Sequence, residues 1–371
     1  MSSPAHPPQQ EGLHDPHPPL AIPTEVSQAY DSARSQVVAR VDAALFRRPD
    51  LGVLLGDASA SVVRELNRYV AAFLSSVFCL RLPELLTHGL PRLLGGYRSR
   101  GVSTDYVELL PSLWREAVDE AMGSRATPIE SVLRWMEEHP ALWTPHDEED
   151  RPPGETGGEA WLCDALLAGD APAARSLLGE ALDAGATLSD VFVDLIQPAL
   201  YEIGRRWEDG RITAAQEHLA SALVTRLLAG FEEGAASGDT RVAVVTTAPT
   251  ETHEFAAWMV ADVLRSGGWT VHFLGSQLPA EETLHFLRSV RPTLLAVSVT
   301  LEIHLPSLQE LMRGLREDPE LAVLPVLVGG QAFAGSDRIW RRIGADGKAE
   351  DVRSVLDEAE RLLAARGAQG H

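Results

Sequence analysis

Residues 241–253 decide the fold of the last third of the chain and read Arg241-Val-Ala-Val-Val-Thr-Thr247, then Ala-Pro-Thr, then Glu251-Thr252-His253. An apolar run followed by a helical pattern over residues 256–267 predicts a buried strand that leads through a loop into a helix. Ligands of open parallel sheets bind at the carboxyl ends of the strands. An imidazole whose second nitrogen is held by a carboxylate is a metal ligand of fixed tautomer. We therefore expect a metal or cofactor at the loop that carries Glu251 and His253.

The same strand, loop and helix order recurs three more times along the chain. Apolar runs that alternate with helical patterns of ten or more residues are typical of a parallel sheet covered on both faces. The sequence thus predicts a flavodoxin-like, doubly wound α/β domain over residues 240–368. The further predicted pairs are 269–275 with 279–290, 293–300 with 305–315, and 324–330 with 337–343, and a last helix covers 350–365.

The loops after these strands resemble the cobalamin-binding domains. The signature of that family is an Asp/Glu-x-His-x-x-Gly loop, a Ser-x-Leu/Thr segment and a Gly-Gly pair, in this order. The matching segments are Glu251-Thr-His253-Glu-Phe-Ala256, Ser298-Val-Thr300 and Gly329-Gly330. Ala256 departs from the glycine that lets the cofactor pass close to the backbone. The resemblance implies that His253 is the lower ligand of cobalt and that the nucleotide tail enters a slot lined by Ser298, Thr300, Gly329 and Gly330.

The preceding segment, residues 159–235, has the pattern of a four-helix bundle. Apolar residues at Val191, Leu195, Ala199 and Ile203 follow the spacing of a core-facing helical stripe. Short links with glycine separate the four patterns, which favours antiparallel neighbours. The predicted helices cover 161–169, 172–185, 188–210 and 212–231.

This bundle contains Trp207, nine further residues, and then Glu217-His218. The arrangement resembles the helical cap of the adenosylcobalamin-dependent light sensors, the CarH-type photoreceptors. The resemblance implies that Trp207 packs over the upper face of cobalt beside the adenosyl group and that Glu217 contacts that group. It also implies that His218 becomes an upper cobalt ligand after light has removed the adenosyl group.

Residues 25–145 carry helical patterns only, which predicts an all-α domain. The patterns do not separate a globin-like fold from a plain bundle. The order of the domains resembles that of the photocobilins, photoreceptors that pair adenosylcobalamin with a linear tetrapyrrole, and implies a globin-like domain that binds a bilin such as biliverdin. The predicted helices cover 25–47, 60–80, 83–100, 104–122 and 128–138, with Asp57 and Thr104 as N-caps and Gly101 just past a helix end.

Side chains for a bilin are available in this all-α segment. Bilin propionates need arginines and the rings need aromatic walls. A histidine can bond the pyrrole nitrogens, or bind iron if the ligand is haem, and a cysteine can form a thioether. The predicted residues are Arg92, Arg98 and Arg100, the aromatic Phe73, Phe78, Tyr97, Tyr106 and Trp114, and His88 and Cys79.

Composition limits the classes of partner. The 371 residues include 32 basic and 53 acidic side chains, for a net charge of -21, which argues against nucleic-acid binding. The one lysine, Lys348, lies in a segment typical of a surface, so a lysine-dependent phosphate loop or Schiff base is not expected. No apolar stretch approaches membrane-spanning length, and we expect a cytoplasmic protein. Residues 1–24 read as a disordered leader and 146–158 as a linker.

Taken together, these patterns predict a light sensor with no enzymatic site of its own. It would bind adenosylcobalamin, self-associate in a light-dependent way and act on an unidentified effector protein. The DNA-binding region of the light-sensing repressors is not evident in this sequence. Two other functions fit part of the pattern: a corrinoid protein that carries methyl groups for a methyltransferase, and a haem-based sensor that would depend on His88.

Overall fold

The computed structural model of the chain describes residues 20–144, 158–208, 210–228 and 241–369. Residues 1–19 of the predicted leader and 146–157 of the predicted linker lie outside these ranges. The described chain is rich in helix and contains one parallel sheet.

Among the described residues, helices account for all the regular structure before the first strand, and from there on helices alternate with strands. The N-terminal helices are α1 (Thr24–Phe46), α2 (Leu51–Leu55), α3 (Ala60–Leu80), α4 (Glu84–Ser99), α5 (Thr104–Met122) and α6 (Thr127–Glu138). The middle helices are α7 (Gly158–Leu167), α8 (Ala171–Asp183), α9 (Leu188–Val191), α10 (Gln197–Glu208) and α11 (Ala214–Leu228), with a π-helical turn, Phe192–Ile196, between α9 and α10. The helices of the last third are α12 (Phe255–Ser266), α13 (Ala280–Val290), α14 (Leu305–Glu317), α15 (Asp337–Ile343) and α16 (Val355–Gln369).

The sheet has five parallel strands in the order β2-β1-β3-β4-β5. This is the doubly wound order that places a switch point between β1 and β3. The predicted parallel α/β domain is confirmed, although the two-residue strand β5 was not anticipated. The strands are β1 (Val242–Thr247), β2 (Thr270–Phe273), β3 (Leu294–Ser298), β4 (Val326–Gly329) and β5 (Gly347–Lys348).

Alternation along the strands explains why both faces of the sheet are covered. Successive side chains point to opposite faces. Val244 belongs to the core shared with α14, while its neighbours Ala243 and Val245 belong to the core shared with α12. Apolar residues at consecutive positions therefore give β1 two buried faces.

The N-terminal third is helical throughout its described part. The five helices expected there are present, and α2 is an additional short one. Both predicted N-caps are wrong. The hydroxyls of Ser59 and Ser103 accept from first-turn amides, whereas Asp57 lies in a turn before the helix and Thr104 is already helical. Gly101 has φ +93° just past α4, as predicted. A globin-like arrangement of these helices stays a prediction.

Two groups of helices pack on opposite faces of the sheet. The N-terminal helices share one apolar core with α14 and β3, and helices α7 to α11 share the other with α12 and α16. Polar contacts reinforce the packing on both faces. On the N-terminal side, Arg342 donates to the carbonyl of Leu80 at 2.9 Å. On the other side, Arg353 donates to Asp190 at 3.1 Å and to Asp194 at 2.5 Å. The residues that follow the strands therefore lie between two helical units.

The shared core on the N-terminal side generates a stability prediction. Leu308 of α14 is fully buried in the core that contains the N-terminal helices. Leu308→Ala should lower the free energy of unfolding by about 2–5 kcal/mol through lost burial and the cavity left behind. Urea denaturation followed by circular dichroism measures the change, with Val323→Ala, at a side chain 66% exposed, as the control. A shift of Leu308→Ala no larger than that of the control would contradict the shared core.

Candidate functional site

The site lies at the switch point of the sheet. After β1 the chain passes through residues 248–254 into α12, and after β3 it passes through residues 299–304 into α14. Helices α12 and α14 lie on opposite faces of the sheet, so these two loops diverge. A crevice at such a point is the usual ligand site of doubly wound sheets.

The carboxylate of Glu251 holds both loops together. Its side chain is fully buried. Oε1 accepts from the backbone of Thr252 at 2.9 Å and of His253 at 3.1 Å, and from His253 Nδ1 at 2.5 Å. Oε2 accepts from the backbone of Thr300 at 3.0 Å and of Leu301 at 3.2 Å. Since Nδ1 of His253 is the donor to Glu251, its Nε2 is left as the free ligand atom, and it has no hydrogen-bond partner among the described residues.

These contacts determine the pKa values of Glu251 and His253. Burial by itself would raise the pKa of Glu251, but the hydrogen bond from His253 and the charges of His304 and His253 lower that pKa to about 2. The hydrogen bond to Glu251 in turn raises the pKa of His253. A buried carboxylate that stays ionised raises the basicity of the imidazole it holds, which strengthens a metal ligand.

His304 is a member of this cluster that sequence reasoning missed. Its Nε2 lies 3.6 Å from Oε1 of Glu251, and its Nδ1 bonds the hydroxyl of Thr250 at 2.9 Å. Burial lowers the pKa of His304. The signal in the sequence was its position in the loop after β3, close behind the Ser298-Val-Thr300 segment.

His253 faces a cavity of about 950 Å³, here called the central cavity. Its side chain is half exposed. Residues from the N-terminal helices, from helices α10 and α11 and from the ends of the strands all line the central cavity. Its volume is at the upper end of the range for cofactor pockets, about 300–1,000 Å³.

The three predicted residues of the helical cap line the same cavity as His253. Oε1 of Glu217 accepts from Ser221 at 2.7 Å, and Oε2 lies 2.7 Å from Nδ1 of His218. The charge of Glu217 also contributes to the raised pKa of His253. Trp207 is half-buried, whereas the side chain of His218 is 81% exposed.

The predicted slot residues Ser298, Thr300, Gly329 and Gly330 also line the central cavity. Gly330 has φ +103°, and a β-carbon there would come within 2.3 Å of the carbonyl oxygen of Val299. The hydroxyl of Ser298 is buried without a hydrogen-bond partner in the described part of the chain. A buried polar atom without a partner points to a polar ligand. Ala256 lines the cavity too, so its methyl group, which the family's glycine lacks, narrows the cavity.

The reading of Lys348 as a surface lysine is wrong. Its side chain is only 10% exposed, and it pairs with Asp337 at 3.0 Å and Glu350 at 2.7 Å. Lys348 lines the central cavity at the end of β5. The strand is two residues long, which is too short to be recognised from its pattern.

Four of the residues predicted for a bilin stand on the wall of the central cavity, namely Phe73, Arg92, Tyr97 and Arg100. The two arginines are already engaged. Arg92 pairs with Glu302 at 2.6 Å, and Arg100 pairs with Glu65 at 3.0 Å.

The other residues of that set are dispersed. Cys79 donates to Oε1 of Gln309 at 3.3 Å, and Nδ1 of His88 lies 2.9 Å from the carbonyl oxygen of Glu84. Neither they nor Arg98 lie among the residues that line the central cavity. Phe78, Tyr106 and Trp114 are buried inside the N-terminal core. A thioether from Cys79 or an axial ligand from His88 would therefore belong to a separate place in the fold.

Two segments match families of known domains. Residues 160–230 and residues 241–357 each match a family described as B12 binding domain. These two segments form a cobalamin-binding module. Its residues fit the cofactor: His253 offers a free ring nitrogen, and Ser298 offers a buried hydroxyl without a hydrogen-bond partner in the described part of the chain.

Whole proteins similar to this chain fall into two kinds. The HTH-type transcriptional repressor CarH of Myxococcus xanthus is 32% identical over 53% of this chain and 64% of its own length, so the chain spans less than two thirds of that relative. Dimethylamine corrinoid protein 3 of Methanosarcina mazei is 26% identical over 44% of this chain and 99% of its own length. The structure of the Methanosarcina barkeri monomethylamine corrinoid protein is 21% identical, with a TM-score of 0.47, over 55% of this chain and 96% of that one.

These relatives bear on two predictions. Their names, a transcriptional repressor and a corrinoid protein, are not those of enzymes, in agreement with the predicted lack of an enzymatic site. The expected absence of nucleic-acid binding is not confirmed, because one relative is a transcriptional repressor. Among the described residues, every helix is too short or too polar to cross a membrane.

The Glu251 cluster generates a binding prediction. Glu251→Gln replaces an acceptor of five hydrogen bonds by an amide that cannot accept on both sides. Cobalamin affinity should fall about 10- to 100-fold, as for other outer-shell ligand partners. His253→Ala should weaken binding as well and remove the absorption features of a histidine-ligated cobalamin.

Titration with aquocobalamin, followed by absorption, measures both effects. Glu282→Gln, at an exposed carboxylate on α13, is the matched control. An unchanged spectrum and affinity in His253→Ala would show that His253 is not a ligand of the cofactor.

Proposed function

We propose that this chain is a light sensor that binds adenosylcobalamin and changes its domain packing and oligomeric state on illumination. The observation that carries the proposal is the presence of Trp207, Glu217 and His218 in the same cavity as His253. The similarity of about half of the chain to the repressor CarH supports the same function.

His253 and its partners would hold the cofactor from below. Its Nε2 is the ligand atom, and Glu251 keeps the ring in the one tautomer and orientation that binding requires. Ser298, Thr300, Gly329 and Gly330 would receive the nucleotide tail, with the Ser298 hydroxyl gaining the partner it lacks. An adenosyl cofactor supplies a cobalt-carbon bond that visible light breaks.

The cap residues would act on the opposite side of the cofactor. Trp207 offers a large rigid surface that excludes water and small ligands. Glu217 is fixed by Ser221, which leaves its second oxygen for His218. His218 already lines the cavity with its Nδ1 held by Glu217, so Nε2 is the imidazole nitrogen that would be available on this side of the cofactor.

A switch also needs an element with two stable packings. Helices α10 and α11 carry these residues, and α7 to α11 pack on α12 and α16 through a shared apolar core. A change at the upper side of the cavity would therefore bias this packing. Self-association surfaces would change with it. An unidentified effector protein would respond to the changed self-association.

The second candidate function is a corrinoid methyl carrier. It is favoured by the match to a dimethylamine corrinoid protein over 99% of that protein's length. Such a carrier would use His253 and the α/β domain in the same way. Trp207 with Glu217 and His218, together with Glu rather than Asp at position 251, favours the light sensor.

Light should change the elution volume of the adenosylcobalamin-loaded protein. Size-exclusion chromatography of samples kept dark or exposed to green light measures this. His218→Ala should still lose the adenosyl group in light, but its illuminated product should have a different absorption spectrum from that of the unaltered protein. His285→Ala, at an exposed histidine on α13, is the control. If dark and lit samples elute identically and the methyl-loaded protein donates its methyl group to a thiol, the carrier function replaces this one.

We also propose that the N-terminal helices bind a bilin such as biliverdin. The domain order supports this, as do the Phe73, Arg92 and Tyr97 side chains on the cavity wall. The bilin would lie on the N-terminal helices, against these side chains. Arg92 would exchange its partner Glu302 for a propionate.

Expression with a bilin source should add a long-wavelength absorption band to the purified protein. Arg92→Met should reduce that band several-fold, because a charge-assisted hydrogen bond to a propionate is lost. Arg134→Met, at an exposed arginine of α6, should leave it unchanged. If the only added band is a Soret peak that disappears in His88→Ala, the N-terminal domain is a haem sensor.

A further inference from the structure

The end of α4 contacts the tryptophan of the cap. The guanidinium carbon of Arg100 lies 5.4 Å from the centroid of the Trp207 ring and 5.0 Å from that of Tyr97. Both distances are within the range of cation-π attraction, which is about 6 Å. Arg100 belongs to the N-terminal third of the chain, and Trp207 lies in the last turn of α10 in the cobalamin-binding module. An N-terminal side chain thus reaches the residue assigned to the upper side of the cavity.

Arg100 is held in place from within the N-terminal helices. Its two terminal nitrogens lie 3.0 and 3.4 Å from the two oxygens of Glu65, and the hydroxyl of Tyr97 donates to Glu65 at 2.9 Å. Glu65 belongs to α3, so two helices fix one guanidinium. A planar cation bound through two nitrogens has little freedom left, which makes its other face a rigid surface for stacking.

Burial makes this contact stronger than an ordinary surface one. The side chain of Arg100 is 20% exposed. Cation-π attraction rises as the cation loses water. Arg100, Tyr97, Glu65 and Trp207 all line the central cavity, so the contact forms part of its wall.

We propose that Arg100 is a positioning residue for Trp207, through which the N-terminal helical domain completes the upper wall of the cobalamin site. The proposal rests on the proposed function insofar as Trp207 covers the upper side of cobalt. Glu65 and Tyr97 fix Arg100, and Arg100 fixes the indole. The N-terminal domain is then part of the light-sensing site as well as a neighbour that packs on the sheet.

A consequence follows from reciprocity. Any group in the cavity that favours one position of Trp207 must favour the Arg100 arrangement that goes with it, and the reverse holds equally. Loss of the upper group would therefore change the arrangement of Arg100 at the end of α4. A ligand bound by the N-terminal helices would, through the same contact, alter retention of the upper group.

Arg100→Met tests the proposal, because methionine keeps an apolar chain but removes the cation. It should weaken binding of adenosylcobalamin roughly 5- to 30-fold, the range that corresponds to the loss of a partly desolvated cation-π contact. Binding of aquocobalamin, which has no bulky upper group, should change less than about twofold, well below this cation-π range. In a Trp207→Phe background the effect of Arg100→Met should shrink, since contacting residues are coupled. Arg134→Met is the control in the same domain.

A second readout needs neither cofactor nor light. The chain has 8 tryptophans, and fluorine NMR of protein labelled with 5-fluorotryptophan assigns Trp207 as the resonance lost in Trp207→Phe. Arg100→Met should shift or broaden that resonance, and Arg134→Met should not. Glu65→Gln should shift or broaden the same resonance, because it removes the carboxylate that holds Arg100. It replaces Arg100→Met as the test if that variant does not fold.

The two readouts separate the possible failures. An unmoved Trp207 resonance in both Arg100→Met and Glu65→Gln would overturn the positioning role. Equal weakening of adenosylcobalamin and aquocobalamin binding would also overturn it, because that is the signature of a general structural defect. If the unaltered protein shows no response to light while the resonance moves, the proposed function fails and the Arg100 contact stands.

Discussion

The carboxylate of Glu251 is the interaction on which the rest of the site depends. It is fully buried and ionised, and it accepts hydrogen bonds from two loops that leave the sheet toward opposite faces. One residue therefore closes the switch point of the sheet and orients the imidazole of His253. A glutamate reaches one methylene further than an aspartate, and this length lets Oε2 reach the amides of Thr300 and Leu301 while Oε1 stays with His253.

Around this pair the fold builds a cavity from three parts of the chain. The sheet contributes His253 and Gly330, the cap contributes Trp207, Glu217 and His218, and the N-terminal helices contribute a wall. The two helical units lie on opposite faces of the sheet, yet both reach its carboxyl edge. A ligand there touches all three parts, so its loss can change how they pack. This geometry suits a protein that signals by repacking.

The N-terminal helices gain a role that their own sequence did not indicate. Residues chosen as partners for a bilin divide into those buried in the helical core, those packed against the α/β domain and those on the cavity wall. Arg92 and Arg100 belong to the last group, and each already has a carboxylate partner. The contact from Arg100 to Trp207 makes the first third of the chain a part of the wall of the central cavity.

The sequence by itself determined the local elements and the motif residues. Apolar runs gave the four longer strands, and fixed spacing marked Glu251, His253 and the Trp207 to His218 segment, because both are properties of neighbouring residues. It misplaced two N-caps, because the nearby Ser59 and Ser103, and not Asp57 and Thr104, accept from the first-turn amides. Only the tertiary structure decided the neighbours of residues far apart in the chain. The crossing of loops and helices places His304 beside Glu251, Lys348 beside Asp337, and Arg100 beside Trp207. No local pattern in the sequence records such contacts.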